Sequence, residues 1–196
     1  TMKAKSIIIV ALLAILVIYG ISVNNGFVTA EESVEGAWAQ VENQYQRRVD
    51  LIPNLVNTVQ GAADFEQETL QSVIEARSRA TSITLQADDL NDSAKIQQFQ
   101  AAQEQLSGAL SRLLVSVERY PELKANANFR DLQAQLEGTE NRIATERKRF
   151  NDTARQYNTD IRKFPGSLIA SITGFDRKAY FEANEGAEQP PLVDFE

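Results

Sequence analysis

The sequence contains no cysteine and no histidine. The first absence excludes disulfides, thiolate nucleophiles and cysteine metal sites. The second removes the usual general base, the commonest zinc ligand and the side chain that titrates near neutral pH. Proline and glycine are scarce, five and nine in 196 residues, and most stand where the pattern asks for a turn. No Gly-rich phosphate loop is present. Two carboxylate pairs invite an acid–base reading, Glu66 with Glu68 and Glu137 with Glu140. Side chains two apart on a helix point away from each other, and those three apart flank one another on a solvated face. The expectation is a protein that is not an enzyme and uses no cofactor and no metal.

Negative charge is missing from one end. All 27 acidic residues lie at or after Glu31, while two of the 20 basic residues, Lys3 and Lys5, precede it, so the part from Glu31 onward carries a net charge of -9. An acidic body does not suit nucleic acid, which requires a basic surface.

What the chain has first is an apolar run. Ile7 to Val23 reads IIIVALLAILVIYGISV without a charge. As a helix it spans roughly 25 Å, and continuing toward Phe27 and Val28 reaches the ~30 Å hydrocarbon thickness of a bilayer. Lys3 and Lys5 on one side, with Glu31 and Glu32 on the other, leave the N-terminus in the cytoplasm and the bundle outside it by the positive-inside rule. Val28-Thr29-Ala30 also fits a signal-peptide cleavage pattern, but the apolar run exceeds the usual ~7–15 residues. A retained single-pass anchor is the favoured reading.

Beyond Glu31 one pattern dominates. Trp38, Tyr45, Ile52 and Val59 recur every seven residues, flanked by Val34, Val41 and Leu55; Phe99, Leu106, Leu113 and Tyr120 repeat it, with Leu110 and Val117 beside them. The longest run is Phe129, Leu136, Ile143, Phe150, Tyr157 and Phe164. A seven-residue spacing keeps one stripe on one face of a helix, and that face requires partner helices. The fold class is therefore all-α: an N-terminal transmembrane helix followed by an elongated antiparallel bundle of about four long helices. Core packing accounts for the aromatics in these stripes better than a ligand pocket does.

The breaks divide the chain. Gly61 to Asp64 precedes a weaker helical segment from Phe65 to about Leu85, with Val73, Ile74, Ala76, Ala80 and Ile83 as its apolar positions. Asp88 to Asp92 reads as a polar loop in which Asn91, Asp92 or Ser93 caps the next helix, and Asn126 and Asn128 suit the cap of a last helix from about Phe129 to Lys163. Pro53 interrupts no register, so it is read inside one long helix where the carbonyl of Val49 loses its hydrogen-bond partner; a break capped by Asp50 is the alternative. Three regions result: residues 1–30, the short N-terminus and anchor; 31–164, the long-helix bundle; and 165–196, an apolar end segment and extended tail.

In that last region Leu168, Ile172 and Phe175 share a helical face. The segment either caps the open end of the bundle or dips into the membrane interface. Leu168, Ile169, Ile172, Phe175, Leu192, Val193 and Phe195 are the candidate membrane or partner contacts. The run Arg147-Lys148-Arg149 beside Glu146 reads as a solvated face with salt bridges.

The stretch Val34-Glu35-Gly36-Ala37-Trp38 through Gln44-Tyr45-Gln46-Arg47-Arg48-Val49-Asp50-Leu51-Ile52-Pro53-Asn54-Leu55-Val56 closely resembles the signature of the bacterial LemA family. So do Glu75-Ala76-Arg77, Arg119-Tyr120-Pro121-Glu122-Leu123-Lys124-Ala125, Asn141-Arg142-Ile143-Ala144, Arg149-Phe150-Asn151, Tyr157-Asn158, Phe164-Pro165-Gly166-Ser167-Leu168-Ile169-Ala170 and Val193-Asp194-Phe195. The resemblance covers nearly the whole chain after the anchor. It implies a membrane helix with a long-helix bundle, in the bacterial inner (cytoplasmic) membrane, with no established reaction and a link to membrane quality control. It also implies an N-terminus outside the cell, opposite to the lysine argument.

Polar motif residues embedded in the helices are the candidates for a polar network or interaction face: Gln44, Arg47, Arg48, Asp50, Asn54, Arg142, Asn151 and Asn158. Arg47 or Arg48 is placed to pair with Asp50 or to reach Glu140 across the bundle. The functional expectation is a membrane-anchored scaffold or adaptor in the cell envelope, working by protein–protein contact. The expected partners are the membrane and other membrane or envelope proteins, with a homo-oligomer as a further option. The alternative is a lipid-interacting amphipathic bundle.

Overall fold

A computed structural model describes residues 2–61 and 65–182 of the chain, with side chains from Ser6 onward. The proposed break at Gly61 to Asp64 lies largely outside the described residues, and the tail contacts Leu192, Val193 and Phe195 lie wholly outside them. The described residues form helices and no strand. Helix α1 runs from Met2 to Gln60, α2 from Gln67 to Ser82, α3 from Ser93 to Val117, α4 from Pro121 to Ala125, α5 from Ala127 to Asp160 and α6 from Gly166 to Thr173.

The 59 residues of α1 carry the apolar run and the first stripe in one helix, with Pro53 inside it, about 88 Å in all. The side chains from Ile7 to Ile18 lie bare on the surface, as expected of a segment whose natural solvent is lipid. It is the one helix among the described residues long and apolar enough to cross a membrane, consistent with a single-pass membrane protein.

The helix ends follow local chemistry. Asp92 caps α3 by accepting from the Ala94 and Lys95 amides, and Asn126 caps α5 by accepting from those of Asn128 and Phe129, in each case satisfying donors that the first turn leaves free. The expected polar loop at Asp88 to Asp92 is a 3-10 turn over Ala87–Asn91 that drives Leu90 into the core. Pro121 opens α4, where its missing N–H costs nothing.

Helices α1 and α5 pack antiparallel, with Trp38 against Phe150 and Arg48 opposite Glu140, and α6 follows with Gly166 beside Phe27. Helices α2 and α3 form a second antiparallel pair, linking Glu66 to Ser116 and Ala80 to Gln103. Rings and polar side chains join the pairs, as where Trp38 and Tyr45 both meet Phe99 edge-on. Two corrections to the stripes follow. In α2 the buried set is Leu70, Val73, Ala76 and Ala80, and Ile74 is exposed. Phe164 is 80% exposed, because α5 ends at Asp160 and the chain turns toward the cis Phe164–Pro165 bond, carrying Phe164 off the face that holds Phe150 and Tyr157.

The core divides along the rod. A membrane-proximal cluster gathers Phe27, Trp38, Tyr45, Phe99, Ile143, Phe150 and Tyr157. A distal one gathers Val49, Ile52, Val59, Leu106, Leu113, Phe129 and Leu136. On α1 the boundary falls between Tyr45 and Val49, at Arg48.

Candidate functional site

Arg48 sits at that boundary with its side chain 1% exposed. Its Nη1 donates to Ser107 Oγ at 2.7 Å and to Glu140 Oε2 at 2.9 Å; its Nη2 donates to Gln103 Oε1 at 2.6 Å and to the Gln103 carbonyl at 3.2 Å. Ser107 also donates to Glu140, at 3.0 Å. Gln103 completes the layer by donating Nε2 to the Ala80 carbonyl at 3.2 Å, near the end of α2 where helical partners run out. One guanidinium on α1 thus binds residues of α3 and α5, and through Gln103 reaches α2. A polar layer between two apolar blocks penalises axial slippage, because a shifted helix would bury these groups without partners. Arg48 Nε is buried without a hydrogen-bond partner, and the guanidinium lies 5.2 Å from the Tyr45 ring centre. Burial pushes the Tyr45 hydroxyl above its usual range, so it stays protonated.

The other candidates separate. Gln44 is half-buried, its Oε1 without a hydrogen-bond partner. Arg47, Asp50, Asn54 and Arg142 are exposed, and none joins the Arg48 layer. Asp50 accepts from Gln46 rather than from an arginine, at 2.7 Å. The carboxylate pairs do not converge on a shared site: Glu66 is held by Arg119 and Ser116, and Glu140 by Arg48. Among the described residues no group of three or more acidic side chains is placed to hold a metal ion.

Asn151 and Asn158 belong to a different device. After α6 the chain returns along the bundle through residues 175–182 as a strap. Asn158 accepts from the Lys178 amide and donates to the Lys178 carbonyl, both at 2.8 Å. Asn151 makes the same pair of bonds with Phe181, both at 2.9 Å, and Gln100 repeats the pattern with Glu182 at 3.2 Å. The spacing explains the fit. Asn151 and Asn158 are one seven-residue step apart, about 10.5 Å along the helix, and the three-residue step from Lys178 to Phe181 covers about 10 Å when extended. A side-chain amide, donor on one side and acceptor on the other, does here what a neighbouring strand would do.

Side chains lock the strap. Phe181 stacks on Trp38 at 5.9 Å and meets Phe150 edge-on at 5.6 Å. Lys178, its side chain 3% exposed, pairs with Glu31 at 2.7 Å. Tyr157 donates its hydroxyl to the Asp176 carbonyl, and burial, with the charges of Glu31 and Asp176, raises its pKa well above normal. Arg147, expected on a solvated face, lies 4.7 Å from the Phe181 ring and donates to the Glu182 carbonyl, while Arg149 keeps a salt bridge to Glu146. Sequence reasoning missed Gln100, Gln103, Lys178 and Phe181. The available signal was the pair Asn151 and Asn158, each directly following a buried aromatic, Phe150 and Tyr157.

The apolar end segment also splits. Ile169 and Phe175 pack inward, Phe175 edge-on to Phe27 at 5.5 Å, whereas Leu168 and Ile172 face out, 59% and 85% exposed. Phe175 therefore does not share their exposed face, because the helix ends at Gly174, whose positive φ of 81° turns the chain back toward α1.

The sequence is similar to those of known proteins. The chain is 28% identical over 185 residues to Magnetosome protein MamQ 2 of Paramagnetospirillum magneticum, and equally to Magnetosome protein MamQ of Magnetospirillum gryphiswaldense, covering 86% of this chain and 68% of each relative. It is 22% identical over 161 residues to Protein LemA of Metamycoplasma hominis, covering 82% and 69%. The model of the LemA family matches residues 37–195, which include the Arg48 layer and the amides that pin the strap, and the chain belongs to the LemA family.

Proposed function

We propose that the chain is a membrane-anchored scaffold or adaptor that works by protein–protein contact. The observation that carries this reading is the continuity of α1 from Met2 to Gln60. One helix is both anchor and bundle wall, so the faces of the rod are presented at a fixed height and angle to the bilayer. Arg48, Asn151 and Asn158 are engaged in holding helices and strap, which supports contact rather than bond-making as the mode of action. Kinship with Protein LemA and the magnetosome proteins supports a membrane-associated role. We place the protein in the bacterial inner membrane, in envelope or membrane quality control, with the bundle outside the cytoplasm as Lys3 and Lys5 favour. Confinement to one membrane plane raises the effective concentration of copies and favours self-assembly.

The test is photocrosslinking in native membranes, with a photoreactive residue at Ile74 or Val115, both exposed on the rod. The reading predicts discrete adducts, to another copy or to a defined membrane neighbour. Absence of adducts along the whole rod in a correctly membrane-bound protein, with a monodisperse monomer in detergent, would overturn it.

A further inference from the structure

We propose that the outward face of α6, with Phe164 ahead of it, inserts into the headgroup–acyl boundary of the bilayer that α1 crosses, giving the bundle a second membrane contact. The proposal rests on the reading of Ile7 to Val23 as the spanning segment. Its basis is where α6 sits along α1.

The helix starts level with Phe27, where a Cβ on Gly166 would come within 3.0 Å of the Phe27 ring. It ends lower: Ile169, Ile172 and Thr173 line one cleft of about 380 Å³ with Val17, Gly20, Ile21 and Asn24. From Phe27 to Ile21 and Val17 is roughly 9–15 Å along the helix, toward the anchor's centre. The chain then turns at Gly174, comes back to Phe27 through Phe175, and climbs to Glu31 through Lys178. Helix α6 is thus a downward excursion between two stretches of chain held to the bundle.

Depth follows from lengths. The run from Ile7 to Val23 covers roughly 25 Å, less than the ~30 Å hydrocarbon slab, so none of it is left outside. Whatever packs at Val17 to Ile21 shares that depth. The sequence of α6, GSLIASIT, carries no charge. Its outward residues Leu168 and Ile172, with Phe164 before it, are among the most exposed large apolar side chains after the anchor. At its margin Arg162 and Arg177 line a second cleft with Ser167, Ser171 and the carboxylate of Asp176, two cations against one anion. Both arginines are exposed and form no ion pair among the described residues, which suits them to anionic headgroups. Apolar tip below and cations above is the order of a bilayer interface.

The absence of cysteine makes the test direct. Nitroxide labels are placed on the full chain at Leu168→Cys or Ile172→Cys, with Leu13→Cys and Arg142→Cys as references. The protein is reconstituted in vesicles of phosphatidylethanolamine and phosphatidylglycerol, and collisions with oxygen and with a water-soluble nickel chelate are measured. The proposal predicts labels at 168 and 172 severalfold richer in oxygen and poorer in nickel collisions than at 142, approaching the label at 13. Labels at 168 and 172 matching 142, while 13 reads as lipid-immersed, would overturn it and leave the anchor intact. A water-exposed label at 13 would sink the anchor reading and the proposal with it. Spin–spin broadening at 168 or 172 that vanishes on dilution with unlabelled chain would assign the face to a second copy, which also overturns the proposal.

Discussion

Arg77 donates its Nε to the Val49 carbonyl at 3.3 Å, the carbonyl that Pro53 leaves without its helical donor. An interior proline removes one i→i−4 bond, and α2 supplies the replacement. This accounts for an unbroken α1 across Pro53 and ties the second helix to the first at the same point.

That repair predicts coupling. Arg77→Met should cost about 1 kcal/mol, the ordinary net value of a hydrogen bond. Pro53→Ala restores the backbone N–H, and in that background Arg77→Met should cost clearly less. A double-mutant cycle by urea denaturation in micelles measures the difference. Equal costs in both backgrounds would show that Arg77 does not serve the Val49 carbonyl.

The Arg48 layer predicts an asymmetry between its charged partners. Glu140 is half exposed and can be solvated alone, whereas Arg48 is buried. Removing the carboxylate leaves a buried cation without its counter-ion, so Glu140→Ala should destabilise by about 1–3 kcal/mol after allowing for solvent screening. Arg48→Met, which fills most of the same space, should cost less, and adding it to Glu140→Ala should recover stability. Additive losses in the double variant would contradict this account.

The strap depends on amides that both donate and accept. Asn158→Asp keeps an acceptor for the Lys178 amide but loses the donor for the Lys178 carbonyl, while the Tyr180 hydroxyl can turn to donate to the new carboxylate. Hydrogen exchange at residues 178–181 should rise sharply in Asn158→Asp and in Asn151→Asp, with α2 and α3 unchanged. Protection equal to the natural chain would mean that the strap is held without these amides, by Phe181 packing, the Lys178–Glu31 pair and the Ala179 amide on the Leu90 carbonyl.

Titration supplies a fourth expectation. Without histidine, stability should be flat from roughly pH 6 to 9. The folded pKa values of Tyr45 and Tyr157 are raised, chiefly by burial. Stability from both is complete below the unfolded value of about 10 and is lost as pH climbs toward the folded values. Glu66 and Asp89 are lowered, by the Ser116 hydroxyl first and by Lys95 first respectively. Their stability is present above about pH 4 and fades as pH falls through the folded values. Glu66 is exposed and Asp89 lies only partly buried at the surface, so the acid limb should be the shallower one. Thermal melts across pH, read by circular dichroism, check the shape; a step near pH 6.5 would contradict it.

How much of this is legible in the sequence depends on what kind of atom makes the contact. The stripe from Phe129 to Tyr157 is readable because a seven-residue period states a helix face directly, and the structure buries all five members. Phe164 misleads because the period carries no record of where a helix stops. The burial of Arg48 leaves a trace, a polar residue between Tyr45 and Val49 on the apolar seam. The strap leaves almost none. Its bonds join backbone atoms of residues 178–182 to three side-chain amides, the Arg147 guanidinium and the Leu90 carbonyl, and backbone atoms have no letter in the sequence. The Arg77 repair is hidden for the same reason.

A single distance tests the central claim that one unbroken helix carries the bundle out of the membrane. Nitroxides at Leu13→Cys in the anchor and Glu42→Cys on the bundle wall, both exposed, lie 29 residues apart on α1, and in vesicles should give one narrow pulsed-dipolar distance near 44 Å. A broad or clearly shorter distribution would place a joint in α1, and the rod would no longer be fixed to its anchor.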